Sequence, residues 1–271
     1  MKLLPAGKFG CVSSDNRGLR GHETAFSELD GYLQTSYLPV DQFEGWGRFP
    51  GFIESVIQQY GATRVAEIGA GANPAIGAEF ARAHRLEYLA LDEDENEIRK
   101  ANGARMALFD ICRSSSTIPG APYHLIFGRM TAEHFRDADA AYGNMIRSLA
   151  PGGIVVQSFA CLYSLPFLVN RLTPERVAAP LLSWVAPRDG LRHDKFKAFY
   201  RRCCGPSRTQ LRFFQRTGFE VLAYRAYFGH HYYQHRLWPL DRIEQLKAQL
   251  LMRLQIPHLA SYATVVLRRP D

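Results

Sequence analysis

Residues 65–74 read VAEIGAGANP, and this stretch decides which fold the rest of the chain builds. A short apolar run leads to Glu67, glycines follow at positions 69 and 71, and the next letters, AIGAEFARAHR, are typical of a helix. A strand, a tight glycine turn and a helix bring backbone N–H groups close to a ligand, because glycine places no side chain in the way. The stretch therefore predicts the ligand-binding turn of an α/β sheet.

The glycine spacing separates this turn from two common nucleotide-binding motifs. A dinucleotide-binding G-x-G-x-x-G requires a third glycine where this chain has Pro74, and a P-loop requires Gly-Lys-Ser/Thr at the start of the helix. The pattern E-x-G-x-G-x-N-P instead resembles motif I of the class I S-adenosylmethionine (SAM)-dependent methyltransferases. The resemblance implies that Glu67 reaches the methionine end of the cofactor. It also assigns the turn to cofactor binding through Gly69, Ala70, Gly71, Asn73 and Pro74.

Later segments continue the same resemblance. The apolar run LEYLALD (86–92) ends in Asp92, and an acidic residue at the end of the second strand of a βαβ unit accepts hydrogen bonds from ribose hydroxyls. The run ARMALFDI ends near Asp110, which the resemblance places beside the adenine amino group, and YHLIFGRM (123–130) is a buried fourth strand. By the same resemblance, the cofactor site also includes Glu93, Ile111 and Gly128.

The second half of the chain completes a sheet. The helical stretch DADAAYGNMIRSLA is closed by Pro151-Gly152-Gly153, and the strand IVVQSF follows. The segments QRTGFEVLAYRAYF and YATVVLRRP then predict the sixth and seventh strands. The expected fold is Rossmann-like α/β: a seven-stranded, mostly parallel sheet with helices on both faces, an antiparallel last strand and an N-terminal helical cap. The resemblance covers roughly residues 50–160 and 210–270.

One domain is expected over residues 1–271, with a cap or lid at 1–50, a SAM-binding core at 51–160, a substrate-recognition insertion at 161–210 and a core completion at 211–271. The stretch PGFIESVIQQYG has apolar residues at helical spacing and is expected to pack on the sheet. The preceding segment is dense in aromatic residues. From it, Tyr37 and Trp46 are candidate substrate contacts, and simple burial against the core is the alternative.

Composition narrows the class of protein further. No uncharged apolar run is long enough for a transmembrane helix, and MKLLPAGKFG is too short an apolar start for a signal peptide. Five scattered cysteines without a C-x-x-C pair fit reduced thiols in a cytoplasmic protein, with no metal site predicted. We therefore expect a cytoplasmic protein without a membrane partner. Its oligomeric state is left open.

Basic charge is concentrated in the second half of the chain. Residues 1–160 carry 15 Lys and Arg against 19 Asp and Glu, whereas residues 161–271 carry 18 against 7. The basic excess predicts either an electropositive wall that attracts an anionic substrate or an arginine-rich solvated surface. Both interpretations stay open at this level.

The reaction implied by the resemblance directs attention to histidines. Methyl transfer is an in-line displacement, and a hydroxyl acceptor also needs a base with a pKa near 7. His134 follows the fourth strand in RMTAEHF, and the cluster GHHYYQH follows the sixth. The candidate bases are therefore His134, His230 and His231. The candidate substrate contacts, besides Tyr37 and Trp46, are Arg129, Tyr232 and Tyr233.

These patterns predict a biosynthetic SAM-dependent methyltransferase that modifies an oxygen, or less favourably a nitrogen, of a small molecule, with an anionic acceptor as one option. An RNA methyltransferase is the alternative, because the C-terminal half is basic, although nucleic acid is the less favoured partner. The Asp/Asn-Pro-Pro-Tyr/Phe motif of exocyclic amino methylation is absent, since FGRM stands there, and Cys161 lacks a companion Pro-Cys. A non-catalytic SAM-binding protein is the second alternative. The fold does not identify the acceptor.

Overall fold

The computed structural model describes residues 34–101, 105–162, 197–230 and 238–271. Its strands are β1 (Gln34–Pro39), β2 (Arg64–Ile68), β3 (Glu87–Asp92), β4 (Met106–Leu108), β5 (Tyr123–Arg129), β6 (Leu149–Ala160), β7 (Glu220–Phe228) and β8 (Tyr262–Arg268). They form one sheet in the order β1-β7-β8-β6-β5-β2-β3-β4. Strand β8 is antiparallel to β6 and β7, and the other described pairs are parallel. The predicted Rossmann-like sheet with an antiparallel last strand is confirmed.

Helices pack around this sheet and end where local chemistry stops them. The described α-helices are α1 (Phe49–Tyr60), α2 (Ala78–Ala83), α3 (Glu95–Lys100), α4 (Ala138–Ser148), α5 (Arg208–Thr217) and α6 (Trp238–Arg253). The side chains of Asp94, Asp137 and Ser207 cap the N-termini of α3, α4 and α5 by accepting backbone N–H groups. Gly61 and Gly218 end α1 and α5 with left-handed backbone angles. Glycine suits both positions, because a residue with a Cβ is strained in that conformation.

The structure adds an eighth strand where the sequence analysis placed a helical cap. Residues 34–39 form β1, which pairs in parallel with the edge of β7. Thr35, Tyr37 and Leu38 favour a strand, and an otherwise open sheet edge offers hydrogen-bonding groups to any strand-forming segment nearby. Residues 1–33 of the predicted cap and residues 163–196 of the predicted insertion lie outside the described residues. The division into cap, core, insertion and completion therefore stays a prediction.

Two other boundaries bear on the sequence predictions. Helix α1 buries Phe49, Ile53, Val56 and Ile57; the last three belong to the apolar face expected from the periodicity of residues 52–60, whose two end members are partly buried. By contrast, the Pro-Gly-Gly stretch at 151–153 is already part of β6, since α4 ends at Ser148 and the strand starts at the next residue. The reason is local pairing: the Gly152 N–H donates to the Arg269 carbonyl at 3.0 Å, and Gly152 has a φ of +69°.

The parallel strands β2, β3, β4, β5 and β6 all end at the same edge of the sheet, which we call the ligand edge. In open α/β sheets, ligands bind outside the carboxyl ends of the strands. Strand β8 begins at this edge, because it runs in the opposite direction. No helix in the described ranges is both long and apolar enough to span a bilayer.

Candidate functional site

The glycine turn after β2 is closely held on both sides. Gly69 and Gly71 have φ values of +65° and +56°, in the left-handed region that favours glycine. A Cβ on Gly69 would lie only 2.5 Å from Thr131 Oγ1, so the exit of β5 leaves no room for a side chain. On the other side, the Ala70 N–H donates to the Leu91 carbonyl of β3 at 3.0 Å. The turn predicted from the two glycines is therefore clamped between β3 and β5.

Glu67, the acidic residue of the motif, is almost completely buried at the end of β2. Its Oε2 accepts the Ala75 N–H at 2.9 Å and the Tyr88 hydroxyl. Burial raises the pKa of Glu67 to about 7, although both hydrogen bonds and the charge of Arg129 act in the opposite direction. Asn73 contributes its carbonyl, which accepts Arg129 Nη2 at 3.4 Å. The site thus contains a buried carboxyl that gains from a cationic partner.

Asp92 ends β3 and faces the same turn. Its Oδ2 accepts the Gly71 N–H at 2.8 Å, and its Oδ1 accepts the Asp94 N–H at 2.9 Å. Each carboxylate oxygen has two acceptor positions, so both oxygens keep acceptor capacity for a ligand. Glu97, a residue that the sequence analysis did not single out, accepts the Ala72 N–H at 3.2 Å from α3. Two carboxylates therefore hold the backbone of the turn.

Asp110 follows β4 and belongs to a charged network with Arg136. Its Oδ1 accepts the Cys112 N–H at 2.9 Å, and its Oδ2 accepts Arg136 Nη2. Arg136 Nη1 also lies 3.5 Å from Glu93 Oε2. The guanidinium therefore joins the two acidic residues that follow β3 and β4. Sequence reasoning missed Arg136, because no local pattern pairs it with a residue 26 positions earlier.

Other predicted cofactor residues have structural reasons of their own. Gly128 lies in β5, where a Cβ would stand 2.6 Å from Oε1 of the buried Gln157. Ile111 is buried in the main apolar core. Pro74 is partly buried within the turn, and Asn73 is exposed. Packing against β6 thus accounts for the glycine at 128, whether or not a ligand approaches it.

The exit of β5 is strained. Met130, a residue with a full side chain, has a φ of +53°, a conformation that costs on the order of 1–3 kcal/mol unless its surroundings impose it. Here the Met130 N–H donates to the Ser158 carbonyl at 2.7 Å, which holds the backbone in place. The Thr131 hydroxyl lies 3.2 Å from the Ile68 carbonyl and so links this exit to β2.

His134 ends a 3-10 helix (Ala132–His134) just after that exit. Its Nδ1 lies 3.1 Å from the carbonyl oxygen of Lys197, and a carbonyl only accepts, so Nδ1 carries the proton. In the neutral ring, Nε2 is then the proton acceptor. Thr131, which contacts Gly69, lies three residues before His134 in the chain. The structure places this predicted base after β5, at the ligand edge.

Glu133 is the buried neighbour of His134. Burial raises its pKa to about 8, and its Oε2 has no hydrogen-bond partner in the described part of the chain. Its backbone carbonyl accepts the N–H groups of Phe199 and Tyr200 at 2.8 and 2.9 Å. The 3-10 helix therefore anchors the chain where it returns toward α5.

His230 lies elsewhere. It follows β7, is buried, and has its Nε2 3.5 Å from Glu244 Oε1 of α6. In the sheet, β7 is three strand spacings from β5, or roughly 14 Å at about 4.8 Å each. The structure does not bring His230 together with Glu67 and Asp92. The other predicted residues of this cluster, His231, Tyr232 and Tyr233, lie outside the described residues.

The predicted aromatic contacts differ in position. Tyr37 lies within β1 and stacks on Phe228 at a centroid distance of 6.2 Å, at the far side of the sheet from β2. Trp46 is 39% exposed and meets the rings of Phe43 and Tyr262 edge-on at 5.4 and 5.1 Å. Since Tyr262 begins β8, Trp46 stands at the ligand edge. Tyr37 lies near the same edge, two residues before the end of β1, but on the outermost strand of the sheet.

A buried ion pair supports the segment that carries Trp46. Glu44 accepts Arg225 Nη1 through Oε1 and the Tyr227 hydroxyl through Oε2, and all three residues are buried. An acid and a base in the interior are tolerated when they pair and their hydrogen bonds are satisfied. Sequence reasoning missed this group, because its members are 181 positions apart. In the described ranges, no group of three His, Cys, Asp or Glu residues is arranged to hold a metal ion.

Comparisons with known proteins gave matches among solved structures only. No protein-family model matches this chain, and no curated protein does. Among solved structures, a SAM-dependent methyltransferase from Clostridium acetobutylicum is 11% identical, with 84% of this chain and 92% of that chain covered and a TM-score of 0.49. One from Mesorhizobium loti is 16% identical, with 81% and 96% covered and a TM-score of 0.44. Phosphoethanolamine N-methyltransferase 2 from Haemonchus contortus is 16% identical, with 80% and 52% covered and a TM-score of 0.45. The strand order and the antiparallel β8 of this chain, taken from its own sheet, are those of a Rossmann-like α/β fold.

Proposed function

We propose that this chain is a SAM-dependent methyltransferase that modifies an oxygen of a small-molecule acceptor. The observation that supports the proposal is the placement of three acidic residues, Glu67, Asp92 and Asp110, at the ends of three adjacent parallel strands. They surround a left-handed glycine turn at the ligand edge. Adjacent strands lie about 4.8 Å apart, so the three carboxyl groups follow an extended ligand rather than a single ion.

Three hydrogen-bond donor groups of SAM would each meet one of these three carboxyl groups. Its ammonium would meet Glu67, whose pKa burial raises to about 7, so that a cationic group beside it would favour the ionised carboxylate. Its ribose hydroxyls would meet the acceptor positions that Asp92 keeps, and its adenine amino group would lie near Asp110. Gly71 has open space where a Cβ would stand, with only Glu97 Oε2 at 3.6 Å, so the turn leaves room above its backbone.

Bound SAM supplies a methyl group activated on a sulfonium. The chain supplies position, because an in-line displacement gains most of its rate from holding the acceptor, the methyl and the sulfur in line. Thr131 and the strained Met130 keep the exit of β5 against the turn. Trp46 offers an aromatic surface at the same edge.

An oxygen acceptor is favoured by the position and protonation of His134. A hydroxyl must lose its proton during transfer, whereas a free amine or a carboxylate needs no base. His134 follows β5 at the ligand edge, and its bond to the Lys197 carbonyl directs the accepting nitrogen, Nε2, away from that carbonyl. Burial raises the pKa of the neighbouring Glu133 to about 8, so this carboxyl is mostly protonated at neutral pH and is a poor base there.

We expect His134→Ala to lower the rate of the chemical step by about a hundredfold or more while SAM still binds, because general-base catalysis contributes that much. Single-turnover kinetics on a hydroxyl acceptor measures it. His84→Ala, which removes an exposed histidine at the end of α2, is the matched control and should retain its rate. A loss below tenfold in His134→Ala would leave positioning as the main source of rate and remove the support for a base.

The affinity for SAM should depend on pH through Glu67. Its pKa is about 7 in the free protein, and only the ionised carboxylate pairs with the cofactor's ammonium. We therefore expect the affinity to rise as pH goes from about 5.5 to about 7.5, by at most about tenfold per pH unit. Calorimetry at several pH values on wild type and Glu67→Gln tests this, and the variant should show a flat profile. A wild-type profile as flat as that of the variant would contradict the assignment of Glu67.

The raised pKa of Glu67 affects the stability of the fold in the opposite direction, so that stability falls as pH rises. The folded state holds the Glu67 proton more tightly than the unfolded chain does, since the pKa is raised from 4.5. The stabilising effect of that proton is complete below pH 4.5 and is lost as pH rises through about 7. Glu133 acts in the same direction up to about pH 8. A bound cation opposes this loss at Glu67, which is a further reason to expect a cationic ligand there.

RNA is the second candidate substrate, and one observation favours it. Arg208, Arg212 and Arg216 are all exposed on α5 at helical spacing, where like charges repel one another unless an anion offsets them. Arg202 adds a fourth guanidinium, 4.4 Å from the ring of Phe213. Transfer of labelled methyl from SAM to RNA or to a small-molecule extract decides between the two substrates. If the chain bound no SAM in calorimetry, both methyltransferase proposals would be wrong.

A further inference from the structure

Helix α6 exposes a continuous apolar stripe to solvent. Five large aliphatic side chains on and just after this helix are between 46% and 67% exposed. They are Leu240, Ile243, Leu246, Leu250 and Leu254. At 100° per residue, all five fall within about 120° of the helix circumference. Single exposed leucines are ordinary on protein surfaces, but a contiguous patch marks an interaction site.

The stripe is not the face that attaches α6 to the protein. That face carries Ala248, Leu251 and Met252, which pack against the main core. It also carries Asp241 and Glu244, both buried. The helix therefore has two apolar faces, centred about 130° apart around its circumference, and only one of them packs against the main core.

The charges beside the stripe have one sign. Arg242 and Arg253 are exposed, and Lys247 is partly exposed and pairs with Glu244 Oε2. The two acidic residues of the helix, Asp241 and Glu244, lie on the buried face. An occupant of the stripe therefore meets an apolar surface with a basic rim.

A second copy of the chain fits this surface poorly. Helix α6 has 16 residues and is about 24 Å long and about 10 Å wide. A face of these dimensions has a much smaller area than the ~800 Å² that each partner buries in a stable interface. In an antiparallel pair of such helices, Arg253 of one copy would also approach Arg242 of the other. Like charges at the rim oppose that pairing. An extended, negatively charged and fluid surface has neither difficulty.

We propose that α6 is an interfacial helix that lays this stripe into the surface of an anionic lipid bilayer. An apolar stripe with flanking Lys and Arg is the pattern of helices that lie in the plane of a membrane, and each basic residue near an anionic surface strengthens the attraction. Such a helix does not span the bilayer, so the sequence-based expectation of no membrane partner, which rested on the lack of a spanning segment, does not cover it.

Docking through α6 would place the ligand edge close to the membrane. Ala248 of α6 approaches Gly229, at 3.4 Å from where a Cβ of that glycine would stand, and Val40 lies at 3.6 Å from the same point. Gly229 and Val40 directly follow β7 and β1, whose carboxyl ends share the ligand edge. Bilayer binding itself does not depend on the proposed methyl transfer, and either proposal can fail alone.

Sedimentation with vesicles tests the proposal on the full chain. We expect wild type to bind vesicles of phosphatidylcholine with about a third phosphatidylglycerol, and to bind pure phosphatidylcholine several-fold more weakly. The triple variant Ile243→Ser, Leu246→Ser, Leu250→Ser should bind the anionic vesicles at least about tenfold more weakly than wild type. Its thermal unfolding should match that of wild type, because the substituted side chains are exposed.

Leu108→Ser is the matched control. Leu108 is 61% exposed, as exposed as the residues of the stripe, but it lies on β4 at the opposite edge of the sheet from β1. This variant should bind vesicles as wild type does. The proposal is overturned by a lack of binding to the anionic vesicles, by equal binding to neutral ones, or by an equal loss in Leu108→Ser. Concentration-dependent dimers in sedimentation velocity that the triple variant abolishes would instead assign the stripe to a second copy.

Discussion

Replacing Gly69 with valine is expected to abolish SAM binding. Gly69 has a φ of +65°, where a β-branched residue is strongly strained, and its Cβ would lie 2.5 Å from Thr131 Oγ1. Thr131 has little freedom to retreat, because its hydroxyl lies 3.2 Å from the Ile68 carbonyl and 3.1 Å from that of Arg129. The turn must then move, and with it the backbone that faces the cofactor. Calorimetry with SAM measures the loss.

Gly77→Val is the matched control for that variant. Gly77 belongs to the same segment, but its φ is −70° and nothing lies within 4 Å of where its Cβ would stand. The control should bind SAM within a few-fold of wild type. If Gly69→Val is too unstable to purify, Gly69→Ala carries the same clash with a smaller side chain and is compared with Gly77→Ala. Equal affinity in the two members of either pair would refute the role of the turn.

Asp92→Ala should weaken SAM binding by two to four orders of magnitude. The carboxylate would lose charge-assisted hydrogen bonds to both ribose hydroxyls, at about 1.5–3 kcal/mol each. It would also release the Gly71 N–H that it now accepts at 2.8 Å, so the turn loses one of its supports. Asp92→Asn keeps an oxygen acceptor without the charge and should fall between wild type and the alanine variant.

A neighbouring carboxylate controls for the loss of charge alone. Glu95 is exposed on α3 and pairs only locally with Arg99, at 2.7 Å. Glu95→Ala removes one negative charge close to the site without touching the turn, and SAM affinity should stay within about twofold, as expected for an exposed pair. An Asp92→Ala affinity that is also within twofold of wild type would defeat the assignment of the ribose site.

Local sequence determined much of the cofactor half of the site. The left-handed glycines at 69 and 71, the acidic ends of β2 and β3, and the helix face of α1 follow from spacing and backbone preference within about ten residues. Such features are encoded by neighbours in the chain. The same holds for the cap residue Asp94, whose side chain binds the backbone two positions later.

Other features needed the folded chain, because they join residues that are distant in sequence. Arg136 meets Asp110 across two strand exits, and Glu44 meets Arg225 from opposite ends of the sequence. The assignment of residues 34–39 to a helical cap failed for a related reason. Those residues become a strand only because the edge of β7 is there to pair with them.

The sequence by itself determined the α/β sheet and the position of the glycine turn, and from these the type of ligand we propose, since backbone preference and hydrophobic periodicity act over short distances. The tertiary structure decided which predicted residues meet. It placed His134 after β5, the neighbour of β2, and His230 beside Glu244 of α6, because strand order sets their distance from β2. It also decided which of the two apolar faces of α6 is buried, a choice that depends on what packs against the helix.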